Sequence, residues 1–181
     1  MEWQKNPIDG VILVKPSIYQ DERGFFQETW NSDKYAEIGV GPHFFQDNRS
    51  FSIRNVLRGI HFQKGPHAQG KLIQVAWGKI FDVAVDLRRD SSTFGHFFGI
   101  ELDSNKGWQL WIEAGLGHGF CVLSEQALVT YKCTTLYAPR SEGSIVWNDP
   151  DLNIPWPVSN PIVSTKDMAA PTLVQWIKGN A

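Results

Sequence analysis

Cysteine is scarce: Cys121 and Cys133 are the only two in 181 residues. Two thiols are too few for a disulfide scaffold, so both are read as reduced residues of a core. No apolar run approaches the ~20 residues of a membrane-spanning helix, so no membrane association is expected. Neither sign of charge dominates, with 17 basic and 19 acidic residues and a formal net charge of −2. Polymeric nucleic acid calls for a basic face, so none is expected as a partner; a small phosphorylated ligand needs only a few local cations. The stretch Met1 to Gly10 carries Glu2, Lys5 and Asp9 and no apolar segment, so no secretory leader is expected and a cytoplasmic location is. Histidine is thin for a metal site. Of His43, His61, His67, His96 and His118, no two are separated by a single residue. Gln63 stands where a metal-binding barrel would have its second histidine after His61, and no Asp or Glu follows within the next several positions. A divalent site needs three or four N, S or carboxylate ligands, so no metal is expected.

Aromatics, in contrast, are plentiful, with eight Trp and eleven Phe. Most are core fillers, and flat rings also suit a pocket for ring-shaped ligands. Apolar residues make up 42%, enough for a sizeable core in one domain spanning 1–181. Short strand signals recur: Val11 to Val14, Phe25 to Trp30, Phe44 to Gln46, Val56 to Gln63, Leu72 to Trp77, Ile80 to Leu87, Phe97 to Leu102, Trp108 to Ile112, Phe120 to Leu123 and Leu128 to Leu136. Turn chemistry separates them, as at Gly65-Pro66, Trp77-Gly78-Lys79 and Ala114-Gly115-Leu116-Gly117. This spacing predicts an all-β sandwich or barrel. Two short helices are predicted. The first is capped by Asn31 or Ser32, has Tyr35, Ala36 and Ile38 on its inner face and ends at Gly39; the second runs from Thr172 to Lys178.

Polar and ionisable residues interrupt otherwise apolar strands in three places: Arg58, His61 and Gln63; Lys71; and Tyr131. A fourth cluster is Ser164-Thr165-Lys166-Asp167. Period 2 puts His61 and Gln63 on one strand face. Buried titratable groups are costly unless paired, so several strands carrying them inward indicate a functional interior. Each alone reads more readily as a satisfied core histidine or a solvated lysine at a strand end; the combination points to function.

The runs Phe45-Gln46-Asp47-Asn48-Arg49-Ser50, Leu57-Arg58-Gly59-Ile60-His61-Phe62-Gln63, Gln69-Gly70-Lys71-Leu72, Gly117-His118-Gly119-Phe120, Tyr131-Lys132-Cys133-Thr134, Trp147-Asn148-Asp149-Pro150 and Ser164-Thr165-Lys166-Asp167 together resemble the dTDP-4-dehydrorhamnose 3,5-epimerase family. The resemblance runs from about Gly10 to Pro171. It implies a cupin-like jelly-roll barrel (a double-stranded β-helix with a few short helices), a homodimer, no cofactor and a dTDP-linked keto sugar as substrate. It also implies roles: His61 as base, Asp167 as its partner carboxylate, Tyr131 as acid, and Lys71 as the cation near the enolate oxygen. Arg58 and His118 match contacts to the diphosphate and sugar, and Gln46, Asp47 and Asn48 match nucleotide-side contacts. Arg23 and Glu28 match contacts reaching in from the partner subunit, and Glu142 and Lys166 match further binding positions. Two positions depart from the family pattern. Glu113 stands where a proline is usual, and Leu136 where an aromatic residue often precedes Tyr137. Leu136 leaves open whether one carbon is inverted or both. A metal-binding cupin and a non-catalytic sugar-nucleotide binder are the alternatives from other classes.

Overall fold

The computed structural model describes residues 1–41 and 43–179. The chain begins with an antiparallel pair, β1 (Glu2–Lys5) and β2 (Val11–Lys15), and a separate hairpin, β3 (Ile18–Asp21) and β4 (Gly24–Gln27). Helix α1 (Ser32–Ala36) follows, then β5 (Gln46–Ile53), β6 (Leu57–Gln63), β7 (Lys71–Trp77), β8 (Lys79–Asp86), β9 (Phe97–Asp103), β10 (Gln109–Ile112), β11 (Leu116–Val122), β12 (Gln126–Cys133) and β13 (Glu142–Ser144). Two short helices close the chain, α2 (Thr165–Met168) and α3 (Leu173–Gly179). A six-stranded sheet has the order β1-β2-β10-β7-β12-β5, and a five-stranded sheet the order β13-β6-β11-β8-β9. From β5 to β13 the chain passes from one sheet to the other at every step except β8 to β9, and the two sheets face each other as a jelly-roll barrel of the cupin kind.

Apolar side chains from both inner faces form the main core, among them Leu13, Ile73, Val75, Ile80, Leu110, Phe120 and Val129. The outer face of the five-stranded sheet is buried as well. Ile60, Phe62, Val83 and Val85 lie under Ile145, Leu152 and Leu173 of the C-terminal segment. This double burial explains the imperfect alternation of β8: its outward residues are apolar because a second layer covers them. On the six-stranded sheet, Tyr35 and Val40 cover Ile12, Val14, Leu72 and Trp111.

Local chemistry sets the element ends. Asn31 caps α1 through its side chain, which accepts the Lys34 N–H, and Tyr35 is the buried residue of that helix. Ala36, expected on the inner face, is exposed, and Ile38 is half-buried. Thr172 caps α3 by accepting the Gln175 N–H while Gln175 returns a bond to the Thr172 N–H. A side chain at Gly59 would put Cβ 2.5 Å from the Gly119 Cα, so the two strands approach here as only glycine allows. The β6–β11 register shifts between His118 and Phe120 at the same place.

Several strand ends differ from expectation. The expected strand at 44–46 starts at Gln46 and runs through the polar residues 47–50 to Ile53. These residues alternate in exposure on an edge strand, so hydropathy does not mark them. The turn expected at 114–117 yields to β11 at Leu116, and β12 ends at Cys133 instead of 136.

Asp86 lies fully buried at the end of β8. Its carboxylate accepts from the Arg88 backbone and guanidinium and from the hydroxyls of Ser91 and Thr93. Burial opposes its ionisation, but these four sets of donors win and hold its pKa well below the usual carboxylate range. Asp86→Ala is expected to cost about 3 kcal/mol by leaving Arg88 and both hydroxyls without their acceptor, a fall of roughly 6–12 °C in Tm for a chain of this size. The stabilisation is present above the unfolded carboxylate pKa of about 4 and fades as the pH falls through the lower folded value. Thermal melts from pH 7 to pH 2 should therefore show the gap between wild type and variant closing.

Candidate active site

Strands β5, β6, β7, β12 and β13 turn polar residues into one cleft of about 290 Å³. It is lined by Gln46 and Asn48 from β5, His61 and Gln63 from β6, Lys71 from β7, Tyr131 from β12, Glu142 from β13, and also by Gln69 and Tyr137. For the strand residues the period of two does this, placing His61, Gln63, Lys71 and Tyr131 on the inner face while apolar neighbours such as Ile60 and Leu72 point outward.

His61 Nε2 lies 2.7 Å from Asp167 Oδ1. Asp167 is buried and also accepts the Gly59 N–H at 3.5 Å. Burial opposes its ionisation, yet the His61 bond and charge, the Gly59 N–H and Ser164 outweigh it and hold the carboxyl below its ordinary range. An ionised carboxylate only accepts, so His61 Nε2 donates, and the tautomer this bond selects has its lone pair on Nδ1. Asp167 reaches this place because Ser164 caps α2, its hydroxyl accepting the Asp167 N–H at 3.1 Å. The strap before it is stitched to the barrel by Leu57 N donating to Ile162 O and Ile162 N to Asn55 O.

Lys71 Nζ donates to the backbone carbonyl of His61 at 3.4 Å, which ties the Lys71 side chain to β6 within the cleft. Burial lowers its pKa, and the carboxylates of Asp82 and Glu142 push the other way. Burial raises the pKa of Tyr131, so its phenol keeps its proton at neutral pH. Glu142 accepts from Lys166 at 2.6 Å and from the Tyr137 hydroxyl at 3.0 Å.

The remaining expected site residues are spread more widely. Arg58 reaches across to β5, donating to Ser52 Oγ and Phe51 O. His118 is the cross-strand neighbour of His61 but is buried, with Nε2 2.7 Å from Asp82 Oδ1. Burial lowers its pKa against the pull of Asp82 and leaves the ring neutral. Asp47 lies on the opposite face of its strand and accepts from Lys132. Arg23 and Glu28 sit away from the cleft of their own chain, Arg23 exposed and paired with Asp21, Glu28 with Lys34. Asp82 and Gln69 were not among the expected site residues, and Tyr137 entered only as the neighbour of Leu136. The signal for Asp82 was an acid at an inward position of the apolar strand Ile80 to Leu87. Among the described residues, no group of three His, Cys, Asp or Glu side chains is gathered that could hold a metal.

Residues 5–175 match the family model described as dTDP-4-dehydrorhamnose 3,5-epimerase. The chain belongs to this family. A dTDP-4-dehydrorhamnose 3,5-epimerase of Salmonella typhimurium is 51% identical over 173 residues, with 94% of each chain covered. The crystal structure of the Legionella pneumophila epimerase in complex with dTDP-4-keto-L-rhamnose superposes with a TM-score of 0.92 at 45% identity, covering 96% of this chain and 93% of that one. A dTDP-4-dehydrorhamnose 3-epimerase of Streptomyces niveus is 38% identical over 169 residues, covering 93% of this chain and 82% of its own. The 3,5-epimerase family thus includes chains similar to this one throughout nearly its whole length.

Proposed function

We propose that this chain inverts C3 and C5 of dTDP-4-dehydro-6-deoxy-D-glucose, giving dTDP-4-dehydro-L-rhamnose. The observation that carries the reading is the His61–Asp167 pair opening into a cleft shared with Lys71 and Tyr131. The C4 ketone of such a sugar acidifies the protons on both neighbouring carbons. His61 Nδ1 takes one of them, and Asp167 holds the ring and stabilises the imidazolium, as a carboxylate does in hydrolase triads. The electron pair moves onto the C4 oxygen, where the Lys71 ammonium offsets the charge. Tyr131 returns a proton to the other face of the carbon, and the ketone reforms. The ketone itself is the electron sink, so the residues of the cleft suffice for the chemistry.

In this reading Arg58 and His118 serve the diphosphate and sugar and Gln46, Asp47 and Asn48 the nucleotide, with Glu142 and Lys166 as further contacts. The hairpin β3–β4 exposes Tyr19, Phe25 and Phe26, and Phe51 and Trp77 lie open beside Leu128 on the outer sheet face. An apolar surface of this kind suits a second copy of the chain, which would carry Arg23 and Glu28 toward the neighbouring cleft. Sedimentation should give twice the chain mass. A single-chain mass at micromolar concentration contradicts the dimer. The described residues contain no helix long and apolar enough to cross a membrane. With both cysteines free and buried, the cytoplasm is the fitting compartment.

Incubation with the keto sugar in D₂O, followed by NMR, tests the function directly. Deuterium should enter at both C3 and C5, and exchange at neither rejects the proposal. Lasting exchange at one carbon favours a second reading, a mono-epimerase, to which exposed Leu136 and the 3-epimerase relative point.

A further inference from the structure

One wall of the cleft is irregular chain. After β12 ends at Cys133, residues 134–138 run without regular structure to the turn Pro139–Ser141. Packing holds this loop only weakly, since Leu136 is 64% and Tyr137 53% exposed. Thr134 pairs with Gly70 at its start and the Thr135 hydroxyl donates to His67 O, and beyond these the backbone is held by three glutamines. Gln69 Nε2 donates to Thr135 O at 2.6 Å, and Gln63 Nε2 to Leu136 O at 3.3 Å. Tyr137 N donates to Gln46 Oε1 and Ala138 N to Gln63 Oε1, each at 2.7 Å.

Gln63 is the hub. Its Nε2 also donates to His67 O at 2.8 Å, so one buried carboxamide joins β6, the 65–67 turn and the loop. With the oxygen accepting and the nitrogen donating twice, the amide has a single workable orientation. Gln63 sits two residues from His61, and both line the cleft with Tyr137. The Tyr137 hydroxyl in turn donates to Glu142, the cross-strand partner of Gln63.

We infer that Gln63 is a positioning residue that latches the 134–138 loop and so keeps the keto sugar in the cleft between the first and second inversions. The inference rests on the epimerase reading above. Two abstractions from different carbons require the singly inverted ketone to stay bound, and its release competes with the second abstraction. Mobility of an enclosing loop sets such release rates. A loosened wall raises release while leaving His61, Asp167 and Lys71 in place.

Gln63→Leu keeps much of the volume and removes all three bonds. With dTDP-4-keto-6-deoxyglucose in D₂O, the variant should exchange its first carbon within about threefold of the wild-type rate. The ratio of singly to doubly exchanged sugar in free solution should rise about fivefold or more, with a raised KM. Gln69→Leu removes the bond to Thr135 O, leaves the Thr135 hydroxyl on His67 O, and does not touch β6. It should move the ratio in the same direction by a smaller factor, which covers a failure of Gln63→Leu to fold. Folded variants with an unchanged ratio, or with both exchange steps slowed equally, overturn the latch. A wild-type protein that exchanges neither carbon removes the epimerase reading itself.

Discussion

His61→Gln is expected to lower kcat for the dTDP-linked keto sugar by about 10³- to 10⁴-fold, at the upper end of what a general base contributes. Deuterium uptake at C3 and C5 should fall together, because one imidazole abstracts from both carbons. Glutamine is preferred to alanine because its amide can still donate to Asp167. That carboxylate is buried, and leaving it without its main donor would cost about 1–3 kcal/mol and blur the kinetic result. His61 itself is one-third exposed at its side chain, so the replacement opens no cavity in the core. Melting curves should agree within a few degrees. A folded variant keeping more than about a tenth of wild-type exchange would contradict the assignment of the base.

Tyr131→Phe separates two events that His61→Gln abolishes together. The ring packs against the main core, and phenylalanine preserves that contact. Only the hydroxyl is lost. Product formation should fall about 10²- to 10³-fold, while exchange of the first proton into the starting sugar falls much less. The enolate still forms and is still quenched on the side from which it came, by His61. Equal losses in both rates would show that Tyr131 does not deliver the second proton. Because burial raises the Tyr131 pKa above its ordinary value near 10, this phenol stays protonated until the pH exceeds that value. An alkaline fall in wild-type activity below pH 9 must therefore come from another group.

The sequence made the apolar strands legible and left the polar ones obscure. Ile80 to Leu87 announces β8, while β5 begins at Gln46 and passes through Asp47, Asn48, Arg49 and Ser50. An edge strand whose inner face lines a cleft has little apolar content to display. The site shows the same split. His61 and Lys71 stand out as ionisable interruptions in apolar strands, and their shared cleft follows from strand period and sheet order. Asp167 could be placed only by resemblance, since nothing local in Ser164 to Asp167 indicates that the segment returns to β6. The roles of Gln63 and Gln69 depend on which carbonyls lie within reach, and only three-dimensional proximity decides that.

The last strand of the barrel ends at Ser144, but the carboxylate that orients His61 arrives at position 167, 106 residues after its partner. Synthesis therefore completes the container before it completes the catalyst. A nascent chain that has emerged through β13 holds every other member of the His61 cleft, with an imidazole free to turn. The catalytic pair is complete only once the segment after β13 has been made and packs on the outer face of that sheet, with Asp167 against His61.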